Sequence, residues 1–302
     1  MRIIENPQQE SVLIKKIIDK YGHTPDHNFE WLMYCADEGE SQVTVWGNKY
    51  LIWGFRNQKE WIICSDPVAP AEIHRNLVGE IVDYLFSKNT EKIYFLDVRE
   101  STNNFCKEKY FSHYALDYEL TWPVFNMEKF NLALPGGHFK SIRNAKNKFY
   151  KENKVEIVPA SSVNKKDLHE VVDRWKKHRT LAGVEDIFQN RYHKMIDNNF
   201  AGTKSARAMS VNGKIAGFNA GWDTPNTTND YSAAVGIHDF STKDLGLALI
   251  LEDFEWIKKA GYKTCDLEGS ESEPLKFKMQ FLPEKTYKTY SFYLKATGSS
   301  GS

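Results

Sequence analysis

A carboxylate pair near the carboxyl end of the chain has the residue types needed for acid–base chemistry. Asp266 and Glu268 are two residues apart at the end of a predicted strand, so their side chains should share one face. A carboxylate there can remove a proton from an attacking nucleophile, which makes Glu268 a candidate catalytic base. The alternative is that Glu268 is a solvated residue at a polar strand end.

A second candidate site lies at the start of the long helix predicted over 242–260. Free backbone N–H groups at a helix start bind anions, and a glycine lets a phosphate approach the backbone. The alternative is a capped amphipathic helix in which Gly246 permits close packing. The candidate phosphate-binding residues are Lys243, Asp244, Leu245, Gly246, Leu247 and Ala248.

A basic segment separates the two halves of the chain. Residues 138–154 contain six Lys or Arg residues and a single acid, Glu152. Helical spacing places the apolar positions Phe139, Ile142, Ala145 and Phe149 on one stripe, which docks the helix. The opposite face would contact a phosphate backbone, or would be an ordinary solvated surface. The candidate contacts are Lys140, Arg143 and Lys148.

The elements that position these residues occur in the same order in both halves. Apolar periodicity predicts strands, a helix, a strand, a short helix and a final strand in each half. Asn212-Gly213 predicts a type I′ hairpin turn. The predicted strands are 42–46, 50–55, 61–64, 93–98 and 116–125 in the first half, and 205–211, 214–222, 230–235, 263–267 and 286–294 in the second. The predicted helices are 71–87 and 104–111 in the first half, and 242–260 and 274–281 in the second.

This repeated order predicts two domains. The sequence at 107–111 is echoed at 277–281, an offset of 170 residues. We assign residues 1–130 to an N-terminal domain and 131–297 to a C-terminal domain that holds the donor site. The segment 69–74 has no glycine and includes Glu72, which repels phosphate, so the first domain is expected to be non-catalytic. Residues 298–302 resemble an expression scar.

Composition excludes several classes of protein. Forty Lys and Arg residues balance forty Asp and Glu residues over 302 positions, so no global field attracts nucleic acid or membranes. No segment has the roughly 18 apolar residues that span a bilayer. The four cysteines are isolated and fit a reducing cytoplasm. His23 and His27 form the closest histidine pair, and we expect no metal site.

Several motifs resemble known acyltransferases. The spacing Lys243-x-x-Gly246-x-Ala248 is similar to the pyrophosphate loop of GNAT acyltransferases, except that Lys243 replaces Gln or Arg. The segments 65–70, 139–148 and 275–283 resemble the family related to the C-terminal catalytic domain of phosphatidylglycerol lysyltransferase, over about residues 25–294. In that resemblance Lys278 matches a recognisable lysine that would hold a donor phosphate or an oxyanion. Alternatively, it is a solvated lysine that covers Phe281.

The resemblance implies an α+β fold of two tandem GNAT-like domains, each with a mixed sheet flanked by helices. It also implies transfer of an aminoacyl group from aminoacyl-tRNA to an amine or hydroxyl acceptor. The acceptor is a lipid headgroup, a peptide or a small molecule, and no permanently bound cofactor is expected. The alternatives are an acyltransferase that uses acyl-CoA as co-substrate and a non-catalytic module that binds nucleic acid or an anion.

Overall fold

The first half of the chain contains every element that its sequence pattern predicts. The computed structural model describes residues 1–183 and 188–296, so the predicted tail at 298–302 lies outside the described residues. The elements of this half are β1 (Arg2–Ile4), α1 (Ser11–Tyr21), α2 (Phe29–Tyr34), β2 (Glu40–Trp46), β3 (Tyr50–Asn57), β4 (Glu60–Val68), α3 (His74–Ser87), β5 (Lys92–Arg99), α4 (Glu100–Lys109) and β6 (Tyr114–Asn126).

The second half repeats the order of the first after one additional helix. From β7 to β12 the succession of strands and helices is the same as from β1 to β6, and α5 precedes it. The elements are α5 (Lys140–Glu152), β7 (Val155–Pro159), α6 (Lys165–Leu181), α7 (Asn190–Asp197), β8 (Ser205–Val211), β9 (Lys214–Asp223), β10 (Asp230–His238), α8 (Leu245–Lys259), β11 (Thr264–Asp266), α9 (Ser272–Met279) and β12 (Lys285–Lys295).

The twelve strands found within residues 1–183 and 188–296 join one continuous mixed sheet, in the order β1-β2-β3-β4-β5-β12-β6-β11-β10-β9-β8-β7. The expectation of one separate sheet in each half is therefore wrong. The physical reason is an exchange of last strands: β12 pairs with β5 and β6, while β6 also pairs with β11. Each half thus completes the hydrogen bonding of the other, and no strand edge is exposed where the halves meet.

Helices cover the sheet through the apolar faces that their periodicity predicts. Leu77 and Ile81 of α3 pack with Phe95 and Phe292 of the sheet, and all four side chains are buried. In the second half Phe254 of α8 packs into an equivalent cluster with the strand residue Phe125. Burial of such side chains stabilises the fold by about 1.5–3 kcal/mol each.

Two pairs of helices complete the core without having been predicted. Helices α1 and α2 cover the first hairpin, while α6 and α7 cover β9 and β10. The hairpin prediction is confirmed, because Asn212 and Gly213 have φ values of +54° and +82°. None of the helices within residues 1–183 and 188–296 has the length and apolar character needed to cross a bilayer.

Candidate functional site

Each half of the sheet contains one pair of parallel strands that separates near the middle of the molecule. The β4–β5 pairing ends at Cys64 and Leu96, and the β10–β11 pairing ends at Ser232 and Asp266. Beyond these points the backbone groups of the separated strands no longer bond to each other. The two openings therefore leave polar backbone and side chains available to a ligand.

A single cleft receives residues from both openings. It encloses about 750 Å³ of atom-free space, part of it open to solvent. Ser65 and Asp97 line it from the first half, whereas Ser232 and Glu268 line it from the second. Aromatic walls surround these polar groups: Trp31, Trp122 and Trp222. Such a mixture of apolar walls and few polar groups is typical of small-molecule sites.

Three of the cleft residues have strained backbone conformations. The φ angles of Ser65, Asp97 and Glu268 are +62°, +55° and +44°. Non-glycine residues rarely adopt this left-handed region, and such residues cluster at functional sites. Glu268 lies beyond the end of β11, so the strand alternation that predicted a shared face with Asp266 does not extend to it.

Half-buried carboxyl groups lie in the cleft and beside it. Burial raises the pKa of Asp26 to about 6 and that of Asp97 to about 7, against the opposing effect of Arg191. Burial also raises the pKa of Asp266 to about 7. These groups can hold or release a proton near neutral pH, which suits general acid–base chemistry.

Asp97 is held in place by the exchanged strand β12. Its carboxylate accepts a hydrogen bond of 3.1 Å from the Thr289 hydroxyl, which itself accepts one of 2.8 Å from the Trp122 indole. The Asp97 amide donates to the Ser291 hydroxyl at 3.1 Å. Because Thr289 and Ser291 come from the last strand of the chain, one half supplies the support for a carboxyl group of the other.

Glu268 and Lys278, both singled out by the sequence, lie side by side. The Lys278 ammonium donates to the Glu268 carbonyl oxygen at 2.9 Å and lies 3.8 Å from its carboxylate Oε2. Lys278 is only 9% exposed, so the alternative of a solvated surface lysine is wrong. Burial lowers the pKa of Lys278, while the Glu268 carboxylate opposes this shift.

The pair is arranged so that only the carboxylate faces the ligand space. The Glu268 side chain remains 49% accessible through the cleft, whereas that of Lys278 is 11% accessible. Removal from bulk water raises the pKa of Glu268, and the Lys278 charge partly offsets that rise. The structure therefore shows Lys278 in contact with Glu268, and its contact with a ligand, which the resemblance implied, stays a prediction.

The start of α8 keeps some features of the predicted phosphate site. The Gly246 and Leu247 amides have no hydrogen-bond acceptor among the described residues, and Lys243 is exposed. Asp244, which precedes the helix, has a φ of +60°. A Cβ at Gly246 would lie 2.9 Å from the His238 imidazole, so close packing explains this glycine without a phosphate.

The predicted basic face divides into exposed lysines and one structural arginine. Lys140 and Lys148 are exposed on α5, and Lys148 lies 3.8 Å from Glu152. The Arg143 guanidinium instead donates to the carbonyl oxygens of Leu134 and Gly136, the second at 2.7 Å. Arg143 thus fixes the segment before the helix, while the role of all three residues in binding RNA stays a prediction.

The sequence did not single out the two aspartates of the cleft, Asp26 and Asp97. Asp26 lies in the connection between α1 and α2, neither of which was predicted, and Asp97 lies near the end of a strand. Asp26 does stand between His23 and His27, and Asp97 ends an apolar run. The sequence signal that could have identified Asp97 as a candidate site residue was therefore a polar residue near the end of an apolar strand, as for Glu268.

Sequence comparison identifies a family. Residues 18–292 match the family described as phosphatidylglycerol lysyltransferase, C-terminal. No curated protein matches the chain.

Solved structures share the fold over nearly the whole chain. The C-terminal domain of a putative lysylphosphatidylglycerol synthetase from Agrobacterium fabrum has a TM-score of 0.68 and 16% identity, covering 97% of this chain and 93% of that one. L-PGS from Bacillus licheniformis has a TM-score of 0.69 and 12% identity, covering 98% and 94%. A tandem GNAT protein from the clavulanic acid biosynthesis pathway has a TM-score of 0.56 and 8% identity, covering 99% of each chain.

Proposed function

We propose that this chain, which belongs to the phosphatidylglycerol lysyltransferase C-terminal family, transfers an aminoacyl group from aminoacyl-tRNA to an amine or hydroxyl acceptor. One observation carries the chemical part of the proposal. The central cleft brings Glu268 and Asp97 together, and burial raises the pKa of both carboxyl groups. A base and an acid that work near neutral pH are what such a transfer requires.

The reaction assigns a different proton transfer to each carboxyl group. The ionised Glu268 takes a proton from the acceptor as its nitrogen or oxygen attacks the ester carbonyl carbon. The bond to the new acceptor forms, and the ester bond to the tRNA 3′ oxygen breaks. Protonated Asp97, whose pKa is about 7, gives its proton to the departing oxygen.

The open edge of β10 provides a path for the donor. Ala234 lines the cleft and His238 ends the strand, four residues and about 13 Å further on. The strand's pairing with β11 ends at Ser232, so this part of the edge is not bonded to β11. A donor that lies along the edge would place a phosphate at the free amides of Gly246 and Leu247.

The exposed lysines of α5 favour tRNA as the donor. Lys140 and Lys148 would contact phosphates of an RNA backbone, which releases counterions and makes binding depend on salt. Acyl-CoA is the second candidate donor, because the free amides at the start of α8 suit its pyrophosphate as well. Binding of tRNA would therefore depend on the lysines of α5, whereas binding of acyl-CoA would not.

We further propose that the molecule consists of two GNAT-like units with exchanged last strands. The repeated order of elements and the reciprocal positions of β6 and β12 support this division. The predicted boundary at residue 130 falls between β6 and α5, where the repeated order restarts. The N-terminal unit would then supply support to the cleft rather than a donor site.

The decisive experiment compares the two donors on the same protein. We expect filter binding at low salt to detect tRNA, and labelled amino acids to pass from a charged tRNA pool to phosphatidylglycerol vesicles. Substitution of both Lys140 and Lys148 by Gln should weaken tRNA binding and reduce the slope of log affinity against log salt by about 1.5. Any effect of coenzyme A on the melting temperature should remain unchanged.

The matched control replaces two exposed lysines in the other half. Lys16→Gln with Lys49→Gln removes the same charge, since both side chains are exposed, and should leave the salt slope as it is. If the parent protein does not bind tRNA at low salt but coenzyme A raises its melting temperature, the donor is acyl-CoA. If neither donor binds, the transferase proposal fails.

A further inference from the structure

Three side chains from separate segments of the first half meet close together. His23 lies in the connection between α1 and α2, Asp66 in β4, and His74 at the start of α3. One nitrogen or oxygen atom of each lies within 4.8 Å of those of the other two. Two imidazoles and a carboxylate are a ligand set that binds divalent transition metals.

Hydrogen bonds to backbone carbonyls fix the tautomer of both imidazoles, that is, which ring nitrogen carries the proton. His23 Nδ1 lies 3.0 Å from the Tyr21 carbonyl oxygen, and His74 Nε2 lies 2.9 Å from that of Ala69. A carbonyl oxygen only accepts, so each of these ring nitrogens carries the proton. Nε2 of His23 and Nδ1 of His74 therefore keep lone pairs that can bind a cation.

Asp66 supplies a buried carboxylate with one oxygen still available. Its Oδ1 accepts hydrogen bonds from the Thr102 hydroxyl at 2.6 Å and the Arg99 amide at 3.3 Å. Its Oδ2 has no hydrogen-bond partner among the described residues, although the residue is only 3% exposed. Oδ2 is not among the fully enclosed side-chain oxygens that lack a partner, so a cation can reach it and bind its lone pairs.

The neighbouring His27 is not part of the ligand set. Its Nδ1 accepts from the His23 amide at 3.0 Å, and its Nε2 donates to the Asp66 carbonyl oxygen at 2.9 Å. Both ring nitrogens are therefore used. The guanidinium of the nearby Arg99 stacks on the Tyr287 ring, with 3.6 Å between its Cζ atom and the ring centroid.

We propose that His23 Nε2, His74 Nδ1 and Asp66 Oδ2 bind a divalent transition metal ion such as Zn²⁺. A tetrahedral ion with bonds of about 2.1 Å separates its ligands by about 3.4 Å, so the ligand atoms must close together. His23 is exposed, so a small shift of its side chain can bring Nε2 closer to the other two ligand atoms. The fourth position would face solvent beside His23, and the Tyr21 and Ala69 carbonyls orient the imidazoles as outer partners.

Binding at this place would fix a segment that serves the central cleft. The ion would tie the α1–α2 connection to β4 and α3, and that connection carries Pro25 and Asp26 of the cleft. The connection is already held by the Trp222 indole, which donates to the Pro25 carbonyl oxygen at 2.7 Å, and by the bond from His27 to the Asp66 carbonyl oxygen. A metal ion would therefore stabilise the fold around Asp26 without touching the reacting atoms.

The test uses the full chain after removal of metal by a chelator. Competition with a chromophoric chelator should show one Zn²⁺ ion per chain, and Co²⁺ should give visible absorption bands. His23→Ala should lower Zn²⁺ affinity by about 100-fold or more and remove these bands, because it deletes a ligand. Zn²⁺ should raise the melting temperature of the parent protein but not of this variant.

The control is a second histidine group on the surface of α6 and α7. His169 Nε2 lies 3.0 Å from Asp197 and its Nδ1 lies 2.7 Å from His193 Nδ1, so this group also offers ligand types. His169→Ala should leave Zn²⁺ affinity unchanged. Absence of binding at micromolar Zn²⁺, binding that persists in His23→Ala, or loss of binding in His169→Ala would each overturn the proposal.

Discussion

The two helices that follow the separating strands, α3 and α8, begin in different ways. Before α3 a 3₁₀ turn uses the amides: Ile73 donates to Pro70, and His74 donates to Ala71. At α8 the amides of Gly246 and Leu247 find no acceptor in the described chain. At this position of the repeated order the first half thus has a 3₁₀ turn, and we propose an anion-binding helix start for the second half only.

This difference shows how a repeated framework can be used for unequal tasks. Asp66, two residues beyond the last β4–β5 pair, accepts a hydrogen bond from the Thr102 hydroxyl of α4. In the second half Glu268 faces the cleft and Lys278 supports it. We infer that the second half carries donor and base, while the first contributes Asp97 and structural support.

The largest expected effect is at Glu268. Glu268→Gln keeps the shape of the side chain but cannot accept the acceptor's proton, so kcat should fall by about 10²- to 10⁴-fold. The parent's kcat should rise with pH through a value above the ordinary range of glutamate, because burial raises the pKa of Glu268. Steady-state kinetics with the donor identified above would measure both effects.

Glu271→Gln is the matched control for this prediction. Glu271 is an exposed acid three residues further along the same loop, and its substitution should leave kcat unchanged. Asp97→Asn should also lower kcat, since it removes the proton for the leaving group. If Glu268→Gln retained the parental rate while Asp97→Asn did not, the base would be Asp97. The first half, and not the second, would then carry the catalytic base.

Strong local patterns made most of the sheet predictable. Alternating or continuous apolar runs placed all the central strands, and Asn212-Gly213 fixed one hairpin. The exchange of β6 and β12 could not be predicted, because strand pairing between distant segments leaves no local signal. Helices α1, α2, α6 and α7 were not predicted, although Ile14, Ile17 and Ile18 recur at helical spacing in α1 opposite a polar face.

The candidate site was predictable where it depends on neighbours in sequence. Glu268 and Lys278 are ten residues apart and were both singled out, and the structure brings them into contact. Asp26 and Asp97 gain their raised pKa values from burial in a cleft built by both halves. Such burial depends on the whole fold, so no motif in the sequence could indicate it.

A smaller effect is expected when the support of Glu268 is removed. The Lys278 charge lowers the pKa of Glu268, so in Lys278→Met this pKa should rise and the acidic limb of the kcat profile should move to higher pH. For each unit by which this pKa rises, kcat should fall about tenfold at pH values below the pKa and should not change at pH values well above it. Measurement of kcat between pH 5 and about 9 would cover both the pH range in which the variant is slower and the range in which it equals the parent.

This pH dependence distinguishes positioning through charge from a purely structural role. Loss of packing alone would lower kcat by the same factor at every pH. Lys276→Met on the same helix is the control, because Lys276 is exposed and its ion pair in the described part of the chain is with Glu273, at 2.6 Å. A profile of Lys278→Met that is parallel to the parent's would remove the electrostatic link between the two residues.

The smallest effect tests the difference between the two helix starts directly. Gly246 is a poor probe, since any added side chain meets the His238 ring and disturbs packing. Lys243 is exposed, and Arg75 occupies a comparable exposed place in the first turn of α3. Lys243→Gln should therefore weaken donor binding by about two- to fivefold at low salt, the size of one exposed charge near a helix start.

Arg75→Gln removes the same charge at the other helix start and should leave donor affinity unchanged. The effect of Lys243→Gln should also fade as salt is added, because exposed charges are screened beyond about 10 Å at 0.1 M. Titration of both variants with the donor at two salt concentrations provides the measurement. Equal losses in the two variants would mean that both halves bind anions, and the free amides of α8 would then no longer distinguish them.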